Sequence, residues 1–155
     1  MFYVGGGDTA NLLVLWRRHG LDVLLRAAWS NGAVLAGVSA GMLCWFNGGV
    51  TDSFGGLEPL NDGLGLIDAT ACPHYDGEPE RRRTYHRAIV DGMQAGYAAE
   101  DGAALHFRGQ NLIEAVSSRP EACAYQVQLI GGRIGESALP VRFLGAKDRA
   151  ALAGA

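Results

Sequence analysis

A serine between glycines, Gly37-Val38-Ser39-Ala40-Gly41, is where this sequence offers covalent chemistry. G-x-S-x-G between a strand and a helix is the sequence form of a nucleophile elbow, a sharp turn that lifts the serine Oγ clear of a sheet. Glycines suit the flanking positions because the backbone there must pass close to its neighbours. The apolar run Ala33-Val34-Leu35-Ala36 supplies the strand, and residues 40–46 read as the helix. The first N–H groups of that helix, Ala40's among them, would face the oxyanion formed when a hydroxyl attacks a carbonyl. The plain alternative is that small residues here only pack a helix against a strand.

A serine nucleophile needs a base, and the chain has four histidines. His19 falls late in an amphipathic helical stretch, His86 inside a helix and His106 inside a strand, which are structural settings. His74 follows Pro73 just after a strand-like run, in a loop expected at the same sheet edge as Ser39. An imidazole base in turn needs a group that fixes its tautomer and stabilises its cation. Three acids compete for that role. Asp101, with Glu100 beside it, follows the next strand; Asp52 lies after the elbow; Asp76 is two residues from His74 and badly placed to face the ring nitrogen opposite Ser39. Asp101 has the best topology, because Ser39, His74 and Asp101 would each sit just past a strand end.

The elements that must position these groups follow from the patterning. Phe2-Tyr3-Val4 reads as a strand and Gly5-Gly6-Gly7-Asp8-Thr9 as a glycine-rich turn. A helix is expected over 9–19, with Leu12, Leu13, Leu15 and Trp16 on its apolar side, and Gly20 ends it. A second helix over 21–30 turns Val23, Leu24, Ala27 and Ala28 inward and ends at Asn31-Gly32. Residues 48–65 read as a long loop, since Gly48-Gly49, Gly55-Gly56 and Asn61-Asp62-Gly63 are turn signals. A strand over 66–72 leads to Pro73-His74, a helix opens at Glu78-Pro79-Glu80 and runs to about Met93, and Tyr97-Ala98-Ala99 is a short strand. Runs at 103–107, 111–116 and 124–130 read as a C-terminal antiparallel part with turns at Gly109-Gln110 and Gly131-Gly132. This order points to an α/β fold with a parallel sheet, where sites form at the carboxyl ends of strands. The Gly5–Gly7 turn and the Ser39 elbow should share that edge.

Composition bounds the function. At 155 residues with 48% hydrophobic content, the chain reads as one domain, 1–155, able to bury a real core. A net charge of −3, and no basic face beyond Arg81-Arg82-Arg83, argue against nucleic acid. No apolar run approaches the roughly 18–20 residues of a membrane span, and the first residues lack the pattern of a signal peptide. Cys44, Cys72 and Cys123 are odd in number and share no metal-type spacing, so they read as reduced thiols of a cytoplasmic protein. No metal or other cofactor is expected. The Gly5–Gly7 turn lacks the lysine and spacing of a phosphate cradle.

The pieces Gly5-Gly6-Gly7-Asp8-Thr9, Gly37-Val38-Ser39-Ala40-Gly41, Pro73-His74-Tyr75 with arginines shortly after, and Glu100-Asp101-Gly102 occur together and in order. In them the sequence resembles the peptidase E (aspartyl dipeptidase) and cyanophycinase family of serine peptidases, over roughly residues 2–130. The resemblance implies a fold like the class I glutamine amidotransferase domains, related to flavodoxin-like sheets. It implies a triad of Ser39, His74 and an acid at the strand end, here Asp101, with Glu100 and Asp52 as the competing acids. Family members have further strands before the glycine-rich turn, so the resemblance also implies that the first βα units are missing, as in a fragment or shortened homologue. They usually carry Asn where Asp8 stands, and a carboxylate beside an oxyanion hole should weaken it unless it points away.

The mechanism expected on this reading is short. His74 takes the proton of Ser39, whose Oγ attacks a scissile carbonyl of a short peptide. The N–H groups of Gly7 and Ala40 hold the oxyanion, His74 passes the proton to the leaving amine, and water hydrolyses the acyl-enzyme. Arg81, Arg82 or Arg83 could pair with a substrate carboxylate. A homodimer is compatible with the sequence. The competing expectation is a truncated, non-catalytic paralogue that binds a small molecule or a partner chain.

Overall fold

A computed structural model describes residues 1–145. Strand β1 (Phe2–Val4) leads through the glycine-rich turn into α1 (Thr9–His19), and α2 (Leu21–Ser30) follows directly. Gly20, at φ 71°, stands between the two helices in the left-handed conformation that a glycine adopts without a Cβ penalty. Asp8 caps α1 through its carboxylate, which accepts from the Asn11 N–H at 2.8 Å. Strand β2 (Leu35–Gly37) pairs parallel with β1, Val4 opposite Gly37, so the two strands end together. The glycine-rich turn and the elbow therefore leave the same edge, as expected.

Both helix boundaries agree with the sequence reading; Leu12, Leu13 and Trp16 of the expected α1 face do pack inward, but Leu15 and the expected face of α2 do not. Leu15 on α1 and Val23 and Leu24 on α2 are exposed, at 57%, 66% and 63%. On α2 the buried contacts come instead from Leu25 and the partly buried Trp29. Each helix has more apolar positions than one face can bury, and local periodicity does not say which stripe meets the core.

The helix after Ser39 is a single turn, α3 (Ala40–Leu43), and Phe46 already begins strand β3 (Phe46–Thr51). This corrects both the 40–46 helix and the 48–65 loop. The glycines that read as a turn are there for close approach. A Cβ on Gly49 would lie 1.9 Å from Ala71 O, and one on Gly48 2.1 Å from Leu60 O. Strand β4 (Glu58–Leu60) occupies the middle of the expected loop, and β5 (Ile67–Cys72) follows it. Then comes α4 (Arg81–Val90), shorter than the expected helix at both ends and with Pro79 outside it, followed by β6 (Gly96–Ala99), β7 (Ala103–Arg108), β8 (Asn111–Ser117) and β9 (Ala124–Ile130), close to the expected bounds. Strands β10 (Arg133–Ala138) and β11 (Val141–Phe143) had no clear alternation and were not expected.

The main sheet has the order β10-β9-β6-β5-β3-β4, with β3, β5 and β6 parallel and the outer strands antiparallel. A smaller sheet, β11-β8-β7, completes the C-terminal part. Side chains alternate across a strand, and β5 uses the alternation to join two layers. Ile67, Ala69 and Ala71 face the cluster under α1–α3, with Leu13, Leu43 and Trp45. Cys72 faces the cluster under α4, with Tyr85, Ala88, Ile89 and Val127. This is a mixed α/β architecture with parallel strands flanked by helices, and its central strands all end at one edge. No helix among the described residues is long and apolar enough to cross a membrane.

Candidate active site

Ser39 stands between β2 and α3 with φ 57° and ψ −118°. A side chain held in that conformation costs about 1–3 kcal/mol, and such strain gathers at functional sites. Among the described residues, two non-glycine residues have positive φ: Ser39 and His74, at φ 55°. They lie 35 positions apart and line the same cleft, of about 350 Å³, together with Gly7, Asp8, Thr9, Ala40, Asp52, Glu78 and Arg81.

The glycines of the elbow meet a steric demand. A Cβ on Gly37 would lie 2.2 Å from Gly41 O, and one on Gly41 would lie 2.1 Å from Val4 O. The turn after β1 passes over the serine, since a Cβ on Gly6 would sit 3.3 Å from the Ser39 Cβ. Ala40 is the first residue of α3, where an N–H has no acceptor within its own helix. Gly7, at φ 142°, turns the chain beside it. Asp8 spends its carboxylate on the α1 cap, accepting the Asn11 N–H at 2.8 Å and the Asn11 side-chain amide at 2.9 Å. The charge feared beside the oxyanion position is thus held by donors at the start of a helix.

His74 Nδ1 lies 2.6 Å from Asp101 Oδ1. An ionised carboxylate only accepts, so Nδ1 carries the proton and donates it, which leaves Nε2 unprotonated on a neutral imidazole. No hydrogen bond joins Ser39 Oγ to His74 among the described residues; in unliganded sites such bonds are often long and tighten with substrate. Glu100, the neighbour of Asp101, points elsewhere: its carboxylate accepts the Cys123 N–H at 2.8 Å and the Tyr125 hydroxyl at 3.0 Å. Asp52 lines the cleft but has no hydrogen bond to His74 among the described residues. Gly77 leaves room for the pair, since a Cβ there would come within 3.2 Å of Asp101 Oδ2.

Two residues that the sequence reading passed over hold this pair in place. Asp76 Oδ1 accepts the Asp101 N–H at 2.7 Å, and Arg119 Nη1 donates to Asp101 O at 2.8 Å. Arg119 also reaches Asp76 Oδ2 at 3.7 Å, closing a clamp on the Asp101 backbone. Asp76 is visible in the sequence only as an acid near His74, and Arg119 carries no local signal at all. On the other side of the cleft, Thr9, Thr51 and Ser53 form a hydroxyl chain, with Oγ atoms 3.3 and 2.7 Å apart, and Ser53 Oγ accepts the Ala10 N–H. That chain ties the start of α1 to the end of β3.

The arginines part company. Arg81 reaches the cleft, but it is buried, donating to Val50 O at 3.2 Å and to Glu78 at 2.8 Å, while its Nε has no partner among the described residues. Arg82 lies elsewhere: it is bonded to Glu136 and sits 5.1 and 5.3 Å over the rings of Tyr75 and Tyr125. Arg82, expected to meet a substrate carboxylate, does not line the Ser39 cleft. Arg83 pairs with Glu80, away from the cleft. His86 binds Glu136, His106 faces Glu114 at 3.5 Å, and His19 is exposed, so none of them lines the Ser39 cleft.

No cysteine competes as nucleophile near Ser39. Burial pushes the thiols of Cys44 and Cys72 up to about 12, although a backbone hydrogen bond at Cys44 and the Arg81 charge near Cys72 act the other way. A thiol in that state offers almost no thiolate near neutral pH. All three cysteines are free, and no group of metal-ligating side chains is assembled among the described residues.

The model of peptidase family S51 matches residues 1–115. A protein of Bacillus subtilis (strain 168), described as the uncharacterized peptidase YgaJ, is 54% identical over 146 residues, which cover 94% of this chain and 63% of that relative. The chain thus spans a little under two thirds of the relative's length.

Proposed function

The chain belongs to peptidase family S51, and on that premise we propose that it is a serine-type peptidase of the dipeptidase kind, acting on short peptides through Ser39, His74 and Asp101. The observation that carries this reading is the placement of the two strained residues, Ser39 and His74, on one cleft with the imidazole held by Asp101 at 2.6 Å. The layer order suits a class I glutamine amidotransferase-like assignment, with the site at the carboxyl ends of parallel strands.

Each group has a role set by its position. His74 Nε2 removes the Ser39 proton as Oγ attacks the peptide carbonyl, and Asp101 holds the tautomer and stabilises the imidazolium. The N–H groups of Gly7 and Ala40 receive the oxyanion. His74 then protonates the leaving amine, the amine departs, and a water deprotonated by His74 cleaves the ester. Of the three arginines Arg81 is the one that lines the cleft, and a substrate carboxylate there would share its guanidinium with Glu78.

A serine-directed fluorophosphonate tests the proposal. Wild type should be labelled on Ser39 and should hydrolyse dipeptides, while Ser39→Ala should keep the fold and lose both. Retention of more than a few per cent of the turnover, about 2 kcal/mol of barrier, would remove Ser39 from the role. Absence of turnover and labelling in wild type would favour a binding protein.

A further inference from the structure

Glu136 lies on β10, beyond the residues that the family model matches. Its side chain is only 14% exposed and gathers three donors. The Tyr75 hydroxyl donates to Oε2, Arg82 grips both oxygens, and His86 Nε2 lies 2.8 Å from Oε2 and 2.8 Å from the Tyr75 hydroxyl. These contacts converge on the residue that follows His74. Tyr75 is 2% exposed, its ring wedged among Tyr85, His86 and Tyr125 and covered by Arg82.

The peptide unit between His74 and Tyr75 is held from both sides: His74 O accepts from Gly77 N–H at 3.1 Å, and Tyr75 N–H donates to Ala99 O at 3.1 Å. His74 sits in the left-handed region, which a non-glycine residue keeps only while its surroundings over-determine it. A strained residue next to a fully buried, doubly anchored ring is such a case. The backbone bonds fix where the peptide lies. The phenol that Tyr75 carries is fixed at its far end by a carboxylate 61 positions along the chain.

We propose that Glu136 is a positioning residue for the His74 imidazole, acting through the hydroxyl of Tyr75. The inference rests on the reading of His74 as the base, and it assigns the β10 ribbon a part in the site that no contact with Ser39 would reveal. Arg82 and His86 serve the same carboxylate, which accounts for an arginine that the cleft itself does not use.

The test uses the full chain with isotope-labelled histidine and two variants, Glu136→Gln and Tyr75→Phe. The second keeps the ring and removes only the hydroxyl, so it stands in if the first folds poorly. The imidazole Nδ1–H resonance of His74, assigned by its loss in His74→Gln, reports the bond to Asp101 without requiring turnover. In folded variants that resonance should shift or broaden by exchange with solvent, while those of His19 and His106 stay in place. The rate of fluorophosphonate labelling, or kcat, should fall about tenfold or more with KM little changed, the pattern of a misplaced catalytic group. An unchanged His74 resonance in either folded variant would overturn the proposal and leave Glu136 a structural tie. Activity surviving in Ser39→Ala would instead overturn the serine mechanism, and the resonance would still decide the role of Glu136.

Discussion

Replacing Asp101 by Asn is the sharpest perturbation of the triad, because it keeps the shape of the side chain and removes only its charge and its purely accepting character. Asp101 lies 2.6 Å from His74 Nδ1, with side-chain exposures of 49% and 32%. With charge centres about 4 Å apart, an ion pair is worth about 1 kcal/mol in bulk water and about 4 kcal/mol at the effective dielectric near a protein surface. Exposure of both partners places this pair in the lower half of that range, about 1–2 kcal/mol, or five- to thirtyfold in rate. The tautomer adds to this. An amide can present N–H to Nδ1 and move the imidazole proton to Nε2, where it cannot accept from Ser39; in triad enzymes the same change costs up to about four orders of magnitude. The expected loss is therefore at least about a hundredfold in kcat/KM, or in the fluorophosphonate labelling rate where turnover is slow. Glu100→Gln and Asp52→Asn, whose carboxylates make no hydrogen bond to His74, should each cost less than about tenfold by the same reasoning. An Asp101→Asn enzyme within about tenfold of wild type would refute the assignment, and a severe Asp52→Asn would move the acid to the end of β3.

The remaining predictions test the frame around the site. Gly41→Ala forces a Cβ to within 2.1 Å of Val4 O, so a denaturant titration should show a loss of about 3 kcal/mol or more, at the upper end of overpacking. Cys44 and Cys72, with thiols pushed up to about 12 by burial, should resist alkylation at pH 8 in the folded protein, while the partly exposed Cys123 reacts; prompt reaction of all three would mean a looser core. Burial opposes the charge on Glu136, but donors from Tyr75, His86 and Arg82 outweigh it and hold the carboxyl below its ordinary 4.5. Its folded-state value is depressed, so its stabilisation is fully present above about pH 4.5 and is lost as pH falls through the folded value. The stability difference between wild type and Glu136→Gln should accordingly be constant above that pH and shrink below it, which thermal melts across pH 2.5–7 would show as a roughly flat and then closing gap.

What the sequence determined by itself was local. Gly-x-Ser-x-Gly, the glycine-rich turn and Pro73-His74 are short patterns whose residue types already state the backbone they need, and β1, α1, α2 and β5 carry enough periodicity to fix their bounds. Strand ends place side chains at a common edge, so Ser39, His74 and Asp101 could be nominated from order alone. Three things waited for the tertiary structure. Gly48 and Gly49 sit in a central strand because Leu60 O and Ala71 O press against them, a demand set by residues distant in sequence. Leu25 and Trp29, rather than Val23 and Leu24, face the core because the packing of α2 selects one of several apolar stripes. Arg81 and Arg82 were adjacent and alike in sequence, yet one lines the cleft and the other is matched by Glu136. Adjacent helix positions point in directions about 100° apart, and only the neighbours gathered by folding decide which of the two reaches the cleft.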